Sequence, residues 1–590
     1  MRFIQDFAVM SPSLRCPLLR SFLFSLTLKH RHFIINAGIS CLYLLYSPGY
    51  PFRQDIFSIF QPGGPYGLYL NPRNEGFAEA VRSRIYVDKT GLIAHTSAFL
   101  NTNEKFICVC RPRRFGKSMA LNMLAAYYSR GCDSRELFVG RKIQEDETFG
   151  EYLNRYDVIC LNMQQFLIEA DPGDVTVYLE QEVLREIREE YGEHTARPGM
   201  GLAAALREIF AKTERQFIFL IDEWDCVMRE RQESEALQKQ YLDFLRNLFK
   251  DQAYVALAYM TGILPVKKYG RHSALNMFRE FSMIDQKMLE EYTGFTEDEV
   301  KGLCKRFDMD LAEAGSWYDG YMFKNFRHIY NPQSVVEAMG SRTFSGYWTS
   351  TETYDALKIY IDMDFDGLRS DLVQMLGGAH VKISTRSFQN DMCNFKVKDD
   401  VLTLLIHLGY LGYDPGTQEA FIPNREIIRE FENAMSVSGW PEVMRVLKAS
   451  EKLLQDTWNG DAERVAEGLD RAHTEVASVL TYNDENSLGC AIGLAYYSAR
   501  KDYMLIRELP TGHGYADIVF LPLPYTRRPA MVVELKYGSS VDAAMRQIKD
   551  RHYTQALERY EGDILLVAVA YDREDPNKPH RCMIEKVEKS

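Results

Sequence analysis

A short apolar run that leads into a basic, glycine-containing loop constrains the fold of this chain more than any other feature of its sequence. Residues 105–110 read KFICVC, residues 111–118 read RPRRFGKS, and residues 119–129 read MALNMLAAYYS. The first run has the composition of a buried strand, and the third has the broad apolar face of a buried helix. A strand, a loop with glycine and a helix form the context in which backbone N–H groups at a helix N-terminus bind phosphate.

Three further apolar runs of strand length follow, at 156–163, 217–222 and 253–262. Helical patterns separate these runs from one another. Continuous apolar strands that alternate with helices are typical of a parallel sheet covered on both faces. We therefore expect an α/β domain of the P-loop NTPase type over residues 66–262.

The glycine-containing loop supplies the first candidate site. Gly116 allows close approach of the backbone, Lys117 reaches the β- and γ-phosphates of a nucleotide, and Ser118 ligates Mg²⁺. Arg111 stands where the usual pattern has its first glycine. The other candidate contacts of the cofactor in this loop are Arg113, Arg114 and Phe115, of which the two arginines add positive charge beside the phosphates.

The apolar run at 217–222 ends in two consecutive carboxylates, Asp222 and Glu223. Asp222 is placed to hold the magnesium shell, and Glu223 is placed to polarise an attacking water. Thr261, at the end of the next strand, is a candidate sensor of the γ-phosphate. The alternatives are that Asp222 and Glu223 form only a polar strand end and that Thr261 only forms a turn.

The pattern changes after residue 262. Residues 263–340 are expected to be a helical lid, and residues 341–480 contain further helices. Within the latter, VLTLLIHLGYLGYDPGTQEAFIPN predicts a helix, a strand, a Pro-Gly turn and a second strand, the order of a winged-helix-like module. Residues 481–590 are expected to form an α/β domain like that of restriction endonucleases, with an antiparallel strand pair, a helix over 541–560 and a further strand.

The last domain contains the second candidate site. Glu534 and Lys536 lie two residues apart on a strand and therefore share one face. Asp517 lies on the partner strand, and Glu485 begins an upstream helix that could add a carboxylate. Converging carboxylates bind Mg²⁺, and a neighbouring lysine steadies and deprotonates the water that attacks a phosphodiester. Gln547, on the following helix, is expected to orient that water or a phosphate.

A plain structural alternative exists for these charges. Glu534 and Lys536 alternate as residues on a solvent-exposed strand face do. The strands MVVELKYG and ILLVAVAYD are, however, apolar enough to be buried. Because a buried charge requires compensation, burial favours a functional site over a solvated ladder.

Charge and cysteine content exclude several classes of protein. The net charge of −12 excludes a surface that is basic throughout, so nucleic acid must contact local basic patches. The eleven cysteines contain no Cys-x-x-Cys pair, which favours reduced thiols in a cytoplasmic protein over zinc or a disulfide framework. Residues 1–65 are expected to be a poorly ordered extension or a mis-assigned start. Their longer apolar run, about 14 residues, falls short of the roughly 20 needed to span a membrane.

The motifs together resemble those of bacterial proteins with an N-terminal AAA-ATPase-like domain and a C-terminal PD-(D/E)XK nuclease-superfamily domain. The similar stretches are YVDKTGLI, RPRRFGKS, FLIDEWD, YMTGILPVKKYG, WYDGYMF with YNPQSVV, GYADIVF with VVELKYG, and QIKDRHY. The resemblance covers nearly the whole chain from residue 67, and RPRRFGKS is a specific motif. Arginine at the first-glycine position is usual in that family, so Arg111 is compatible with a working loop.

The resemblance implies ATP binding and nuclease chemistry. It assigns ATP and Mg²⁺ to Gly116, Lys117, Ser118, Asp222 and Glu223, and it assigns the nuclease-type residues to Asp517, Glu534, Lys536, Glu485 and Gln547. We expect an ATP-hydrolysing switch coupled to a magnesium-dependent nuclease that acts on nucleic acid, and we expect that nucleic acid to be DNA. One alternative is a signalling or regulatory NTPase whose nuclease-like domain only binds nucleic acid or protein. Another is a nucleotide-dependent transcriptional regulator that uses the winged-helix-like module.

Overall fold

A computed structural model of the chain describes the backbone of the following residues: 67–170, 175–193, 195, 197, 199–266, 275–285, 288–348, 353–363, 365, 367–389, 392, 395–437, 440–476, 485–511, 514–523, 526–550, 557, 560, 562–572 and 580–587. Within these ranges, the side chains of residues 353–356, 437, 476, 485–487, 508–511 and 514–515 are not described. The expected N-terminal extension, residues 1–65, lies outside the described residues.

The first sheet is parallel and has five strands. Its strands are β1 (Phe106–Cys110), β2 (Asp157–Asn162), β3 (Phe217–Asp222), β4 (Val255–Gly262) and β5 (Arg279–Phe281). They lie in the order β2-β3-β4-β1-β5, and every neighbouring pair is parallel. The register places Asn162 beside Asp222 and Thr261 beside Val109, so the carboxyl ends of the strands meet at one edge.

Nine helices of the described residues belong to this first part of the chain. They are α1 (Glu75–Arg82), α2 (Gly91–Phe99), α3 (Lys117–Tyr128), α4 (Phe149–Tyr152), α5 (Met163–Glu169), α6 (Val175–Tyr191), α7 (Leu202–Thr213), α8 (Cys226–Glu230) and α9 (Glu235–Phe249), with 3-10 turns at Arg135–Phe138 and Lys142–Glu145.

Alternating residues of each strand enter two separate apolar clusters, one on each face of the sheet. On β3, Phe217, Phe219 and Ile221 join side chains of α6, α7 and α9, whereas Ile218 and Leu220 join side chains of α2 and α3. This arrangement explains why the strands are apolar throughout, since both of their faces are covered. The parallel sheet expected from the sequence is confirmed.

The middle of the chain is mostly helical. Its helices are α10 (Glu297–Phe307), α11 (Leu311–Tyr318), α12 (Pro332–Ser341), α13 (Thr353–Ile361), α14 (Leu368–Leu376), α15 (Lys398–Leu408), α16 (Arg425–Val437), α17 (Pro441–Trp458) and α18 (Ala462–Val476). Short antiparallel strands accompany them: β6 (Phe295–Thr296) pairs with β7 (Ile329–Tyr330), and β8 (Val381–Lys382), β9 (Gly412–Asp414) and β10 (Glu419–Phe421) form a three-stranded sheet.

Local sequence signals fix several of these helix starts. Thr296 and Glu299 form a reciprocal capping box at the start of α10. Asn331 caps α12, whose first residue is Pro332, a residue whose fixed φ suits that position. The helix, strand, turn and strand expected after residue 397 are present as α15, β9 and β10.

Residues 263–340, expected to be a helical lid, also contain three short strands, β5, β6 and β7. Arg279–Phe281 forms β5 and pairs in parallel with β1 at the edge of the first sheet. The stretch has only three residues, of which two are charged, so it lacks the apolar run by which the other strands could be recognised. Its pairing with β1, which is far away in sequence, determines its conformation.

The last part of the chain is a mixed five-stranded sheet. It contains α19 (Glu485–Ala495), β11 (Tyr503–Thr511), β12 (Gly514–Pro522), β13 (Ala530–Tyr537), α20 (Val541–Asp550), β14 (Ile564–Tyr571) and β15 (His580–Lys586), with a 3-10 turn at Tyr497–Lys501. The order is β11-β12-β13-β14-β15, in which only β13 and β14 are parallel. The expected antiparallel pair is confirmed as β12 and β13. The helix expected over 541–560 is present as α20 and ends at Asp550, and the adjoining residues 551–556 lie outside the described residues.

One large apolar cluster joins the three parts. It includes Phe115 of the glycine-containing loop, Tyr321 and Leu404 of the middle part, and Leu488 and Leu535 of the last part. The overall architecture therefore matches the expected fold class: an α/β parallel sheet, a helical middle and a C-terminal α/β domain. Among the described helices, none is both long and apolar enough to cross a membrane.

Candidate functional site

A cavity of about 990 Å³ lies where β1 and β3 end. Its lining includes loop residues 113–118, the strand-end residues Asp222 and Glu223, and Lys89, which precedes α2. The volume falls within the range of small-molecule sites, about 300–1,000 Å³. Apolar side chains also line it: those of Ile85, Val87, Phe295 and Val336.

Gly116 is the N-cap of α3 and has φ +85°, in the left-handed region that favours glycine. A Cβ added to Gly116 would meet no atom within 4 Å. The backbone at the helix N-terminus is therefore open, as close approach of a phosphate requires. The residues present thus fit a nucleotide phosphate.

Lys117 is buried and bonds to its own loop. Its Nζ donates to the carbonyl oxygens of Arg111 at 3.1 Å and Pro112 at 2.9 Å. The same Nζ lies 3.9 Å from Oε1 of Glu223. Burial lowers the pKa of the Lys117 ammonium, and the nearby carboxylate of Glu223 opposes that shift.

Asp222 accepts two hydroxyl hydrogen bonds at the end of β3. Ser118 Oγ donates to Oδ2 and Thr261 Oγ1 donates to Oδ1, each at 2.5 Å. The hydroxyl of the fully buried Thr261 therefore contacts Asp222, and the expected role of Thr261 as a γ-phosphate sensor stays a prediction. Hydroxyl and carboxylate oxygens are ligands that Mg²⁺ prefers, so Ser118 and Asp222 fit a magnesium ion bound beside the phosphates.

Glu223 follows Asp222 and adopts a left-handed backbone, with φ +51°. Arg229, on α8, donates through Nη2 to Oε2 of Glu223 and through Nε to Oδ2 of Asp225 at 3.1 Å. Burial raises the pKa of Glu223, Lys117 and Arg229 lower it, and Asp222 and Asp225 raise it. The carboxylate is thus held between two cations beside the cavity.

The remaining loop residues face in different directions. Arg113 lines the cavity. Arg114 has φ +69° and donates through Nη1 to the carbonyl oxygen of Tyr347 at 2.6 Å. The Phe115 side chain is fully buried against Tyr321, with ring centroids 5.1 Å apart, so the phenyl ring packs in the core while the backbone borders the loop.

Arg111, at the first-glycine position, is fully buried. Its guanidinium lies 4.7 Å from the ring centroid of Phe323, and its backbone N–H donates to the carbonyl of Gly262 at 3.0 Å. Burial lowers the pKa of Arg111 to about 9. The bulky side chain therefore packs in the protein interior, which leaves the loop backbone available at Gly116.

The second candidate site lies on β12, β13 and α20. Lys536 Nζ donates to Oε1 of Glu534 at 3.1 Å, and Gln547 Nε2 donates to the same oxygen. Asp517 Oδ2 accepts the backbone N–H of Leu535 at 2.7 Å. Glu534 is fully buried. The structure therefore brings Asp517, Glu534, Lys536 and Gln547 together, as the sequence suggested, and excludes a solvated ladder.

The third expected carboxylate of this site belongs to Glu485. Its backbone begins α19, but its side chain lies outside the described residues. Among the described side chains, no group of three or more His, Cys, Asp or Glu residues is arranged to hold a metal ion. The chemistry of the donors at Asp517 and Glu534, two carboxylates, fits Mg²⁺.

Arg229 and Lys89 were missed by sequence reasoning. Arg229 lies four residues after Asp225, a spacing that places both on one face of a short helix. Lys89 donates to Glu299 Oε2 at 2.6 Å and to the carbonyl of Glu291 at 2.5 Å. It thereby joins the segment before α2 to α10. The helical spacing could have indicated the first residue, whereas only the fold indicates the second.

Two family models match this chain. Residues 77–270 match the AAA-ATPase-like model, described as a predicted AAA-ATPase. Residues 488–580 match the model of the PD-(D/E)XK nuclease superfamily. The two matches confirm the resemblance inferred from the motifs for both ends of the chain.

A curated protein is similar over part of the chain. It is described as "Uncharacterized protein in vnfD 5'region", from Azotobacter chroococcum mcd 1, and is 26% identical over 285 residues, which are 45% of this chain and 51% of that protein. The chain thus spans about half the length of the curated relative that it matches.

Two solved structures are also similar over part of the chain. The Walker-type ATPase paby2304 of Pyrococcus abyssi is 13% identical, with a TM-score of 0.31, and the match covers 58% of this chain and 94% of that one. The ORC2 protein of Aeropyrum pernix, in ADPNP–ADP complexes, is 11% identical, with a TM-score of 0.28, and the match covers 60% of this chain and 96% of that one.

Proposed function

Because the chain contains an AAA-ATPase-like domain and a PD-(D/E)XK nuclease-superfamily domain, we propose that it is an ATP-hydrolysing switch coupled to a magnesium-dependent nuclease. The substrate that we propose is nucleic acid, and DNA in the first instance. The cysteines of the described residues are free thiols, which supports a reducing, cytoplasmic setting.

ATP binding is supported by the cavity and its lining. In this proposal the phosphates lie at the N-terminus of α3, where Gly116 leaves the backbone open and the helix dipole favours negative charge. Lys117 exchanges its bonds to the loop carbonyls for contacts with the β- and γ-phosphates, and Arg113 adds charge. The base packs against the apolar part of the lining that contains Val87 and Phe295.

Hydrolysis is supported by the two carboxylates at the end of β3. Ser118 and Asp222 are the residues that would hold Mg²⁺, which offsets the charge that develops on the phosphates when it is bound. Thr261 keeps the Asp222 carboxylate in place through its hydroxyl. Glu223, beside the cavity, orients and polarises the attacking water.

The proposed nuclease reaction uses the group on β12, β13 and α20. Asp517 and Glu534 are the residues that would hold Mg²⁺, which supplies Lewis-acid stabilisation to a phosphodiester when it is bound. The ammonium of Lys536 steadies the attacking water beside Glu534. Gln547 fixes the rotamer of the Glu534 carboxylate through the bond to Oε1.

Coupling between the two sites is supported by direct contacts of the glycine-containing loop, residues 111–118, with the middle part. An added Cβ at Gly409, the residue after α15, would lie 2.8 Å from Cβ of Pro112, so the loop packs closely against the end of that helix. Arg114 bonds to the carbonyl of Tyr347. The N–H of Tyr347 in turn donates to Glu426, on α16, at 2.6 Å. In this proposal, a change in the loop moves both α15 and α16.

The middle part in turn contacts the nuclease-like domain. Arg507, on β11, donates through Nη2 to the carbonyls of Gly377 at 3.0 Å and Gly489 at 2.8 Å. Arg500 donates to the carbonyl of Leu376 at 2.6 Å. The C-terminal end of α14 is therefore fixed to α19, the helix that covers one face of the last sheet.

One observation carries the proposal: Ser118 and Thr261 both donate to Asp222 at the edge of a cavity whose loop has an open backbone at Gly116. The Ser118 hydroxyl and the Asp222 carboxylate thereby lie together beside the loop, as two ligands of one magnesium ion must.

The test measures metal-dependent cleavage of single- and double-stranded DNA and of RNA, with and without ATP. The wild-type protein is compared with Lys117→Ala and Glu534→Ala. We expect cleavage that requires Mg²⁺ or Mn²⁺, responds to ATP, loses that response in Lys117→Ala and disappears in Glu534→Ala. Full ATP-responsive cleavage by Lys117→Ala would contradict the coupling.

A second candidate function is a regulatory NTPase whose nuclease-like domain only binds nucleic acid or protein. The bonds that Lys536 and Gln547 donate to Glu534 Oε1 favour it, because they occupy a carboxylate oxygen that a metal ion would need. This candidate requires ATP hydrolysis without cleavage of any nucleic acid, and identical behaviour of the wild type and Glu534→Ala.

A further inference from the structure

Arg229 makes a bridge between two carboxylates behind the nucleotide cavity. It is buried, lies on α8 and donates to both Glu223 and Asp225. Asp225 in turn accepts the backbone N–H groups of Ile263 at 3.1 Å and Leu264 at 2.9 Å, directly after β4. Arg229 therefore connects the carboxylate beside the cavity to the backbone that leaves the next strand.

We propose that Arg229 is a positioning residue for ATP hydrolysis, which holds the Glu223 carboxylate in the orientation that activates water after Lys117 has moved to the phosphates. The inference rests on the proposed ATPase activity. In this inference, Arg229 acts through Glu223 and does not itself touch the nucleotide.

The need for such a residue follows from the charges around Glu223. Lys117, Asp222, Asp225 and Arg229 are the charged groups that act on it. In the structure, Lys117 Nζ lies 3.9 Å from Oε1, and Arg229 bonds to Oε2. When Lys117 binds phosphate, Glu223 faces the charge of the nucleotide and of the two aspartates. Arg229 then remains as the cation that is hydrogen-bonded to it.

The attachment of Arg229 makes it suitable for this role. Its Nε bond to Asp225 fixes the guanidinium plane, and Asp225 is itself fixed by two N–H groups. Gly262, next to Thr261, leaves the space in which Asp225 lies, because an added Cβ there would lie 2.7 Å from Asp225 Oδ1. A rigid donor of this kind holds a carboxylate better than a flexible surface pair does.

A purely structural role for Arg229 predicts a different result. If the bridge only stabilised the turn between β3 and α8, its loss would lower stability and reduce the amount of active enzyme, with equal effect whether or not residue 223 is a glutamate. A positioning role predicts that the catalytic effect depends on the Glu223 side chain. These two expectations separate in a double-mutant cycle.

The experiment uses the full chain and measures kcat for ATP hydrolysis, the dissociation constant for ATP, and the thermal midpoint. The variants are Arg229→Met, Arg229→Lys, Glu223→Gln and the double variant Arg229→Met/Glu223→Gln. Arg231→Met, at a partly exposed arginine two residues further on, is the matched control.

We expect Arg229→Met to lower kcat on the order of 100-fold while the ATP dissociation constant stays within about twofold, because misplacement of a catalytic group affects the chemical step. Arg229→Lys should recover part of kcat, and Arg231→Met should match the wild type. In the Glu223→Gln background, Arg229→Met should cause no further loss of kcat.

Two results would overturn the inference while leaving the proposed function intact. The first is a wild-type kcat in Arg229→Met. The second is an equal fold-loss of kcat when Arg229→Met is introduced into the wild type and into the Glu223→Gln variant. Absence of ATP hydrolysis by the wild-type protein itself would instead overturn the proposed function, and this inference with it.

Discussion

The guanidinium of Arg114 donates a hydrogen bond to the backbone carbonyl of Tyr347, 233 residues away in sequence, at 2.6 Å. Arg114 belongs to the glycine-containing loop, whereas Tyr347 belongs to the middle part and bonds through its N–H to Glu426. A residue of the loop thus attaches the loop to the middle part of the chain. Its neighbour Arg113 lines the cavity.

Substitution of the two arginines should therefore affect two different quantities. Arg114→Met should reduce the ratio of DNA cleavage with ATP to cleavage without ATP, because the loop loses its bond to Tyr347. Arg113→Met should weaken ATP binding and preserve that ratio at saturating ATP. Cleavage and ATP titrations on the two variants measure both quantities. Equal ratios in the wild type and Arg114→Met would show that coupling does not pass through this bond.

Gly262→Ala should damage the proposed ATP site through the backbone behind it. An added Cβ would lie 2.6 Å from Cδ1 of Trp224 and 2.7 Å from Oδ1 of Asp225, so the turn after β3 must move. Overpacking of this kind destabilises by about 1–3 kcal/mol. We expect a lower denaturation midpoint together with a lower kcat for ATP hydrolysis.

Gly302→Ala is the matched control for that substitution. Gly302 lies on α10, and an added Cβ there would meet no atom within 4 Å. Alanine in an exposed helix interior is favoured over glycine by up to about 1 kcal/mol, so this variant should be as stable as the wild type or slightly more stable. A Gly262→Ala variant with the stability of Gly302→Ala would refute the packing argument.

Glu534→Gln should abolish cleavage and keep the fold. The amide has nearly the shape of the carboxylate and still offers an oxygen to Lys536 and Gln547, but it lacks the charge that Mg²⁺ requires. The cleavage rate should fall by at least about 100-fold, and chelation of Mg²⁺ should reduce the wild-type rate similarly. Glu585→Gln, at the partly exposed partner of Lys549 on β15, should cleave like the wild type. Metal-dependent cleavage that survives Glu534→Gln would require a different site.

Glu426 should make stability depend on pH. The side chain is buried and accepts a hydrogen bond from Ser334 Oγ at 2.8 Å. Burial raises the pKa of Glu426 from 4.5 to about 7. Since the folded-state pKa exceeds the unfolded one, the folded protein binds this proton more tightly. The resulting contribution to stability is complete below the unfolded pKa and is lost as the pH rises through about 7. Its upper limit is roughly 3 kcal/mol.

The Glu426→Gln variant has no titratable proton at this position, so this contribution to the pH dependence of stability is removed. Relative to the wild type, the variant should gain stability progressively as the pH is raised from about 5 to about 8. Denaturation midpoints of both proteins across that range give the difference, from which groups common to both cancel. A difference that does not change with pH would show that Glu426 does not titrate in this pH range.

Much of the fold was predictable because its strands carry local signals. The apolar runs ending at Cys110, Asp222 and Gly262 mark buried parallel strands, and they form β1, β3 and β4. The strand Arg279–Phe281 carries no such signal, because pairing with β1 alone makes it a strand. The boundaries expected between the domains, at residues such as 262 and 480, stay predictions.

The candidate site was predictable where chemistry follows the local motif. Gly116, Lys117 and Ser118 follow each other at a helix start, and the parallel sheet brings Asp222 to the same edge. Directions of side chains were not predictable: Phe115 points into the core, and Arg229 reaches Glu223 only because a short helix follows the strand. The functional roles assigned to these residues stay predictions.

The apolar cluster that extends from Phe115 to Leu535 limits how the protein can be divided for study. A truncation that keeps only the C-terminal domain would expose the share of this cluster that Leu488 and Leu535 contribute. Such fragments should aggregate or bind chaperones, since large exposed apolar surfaces promote association. Loss of activity in a fragment would then reflect disruption of the hydrophobic interior. Point substitutions in the intact chain avoid this effect and test the two proposed activities separately.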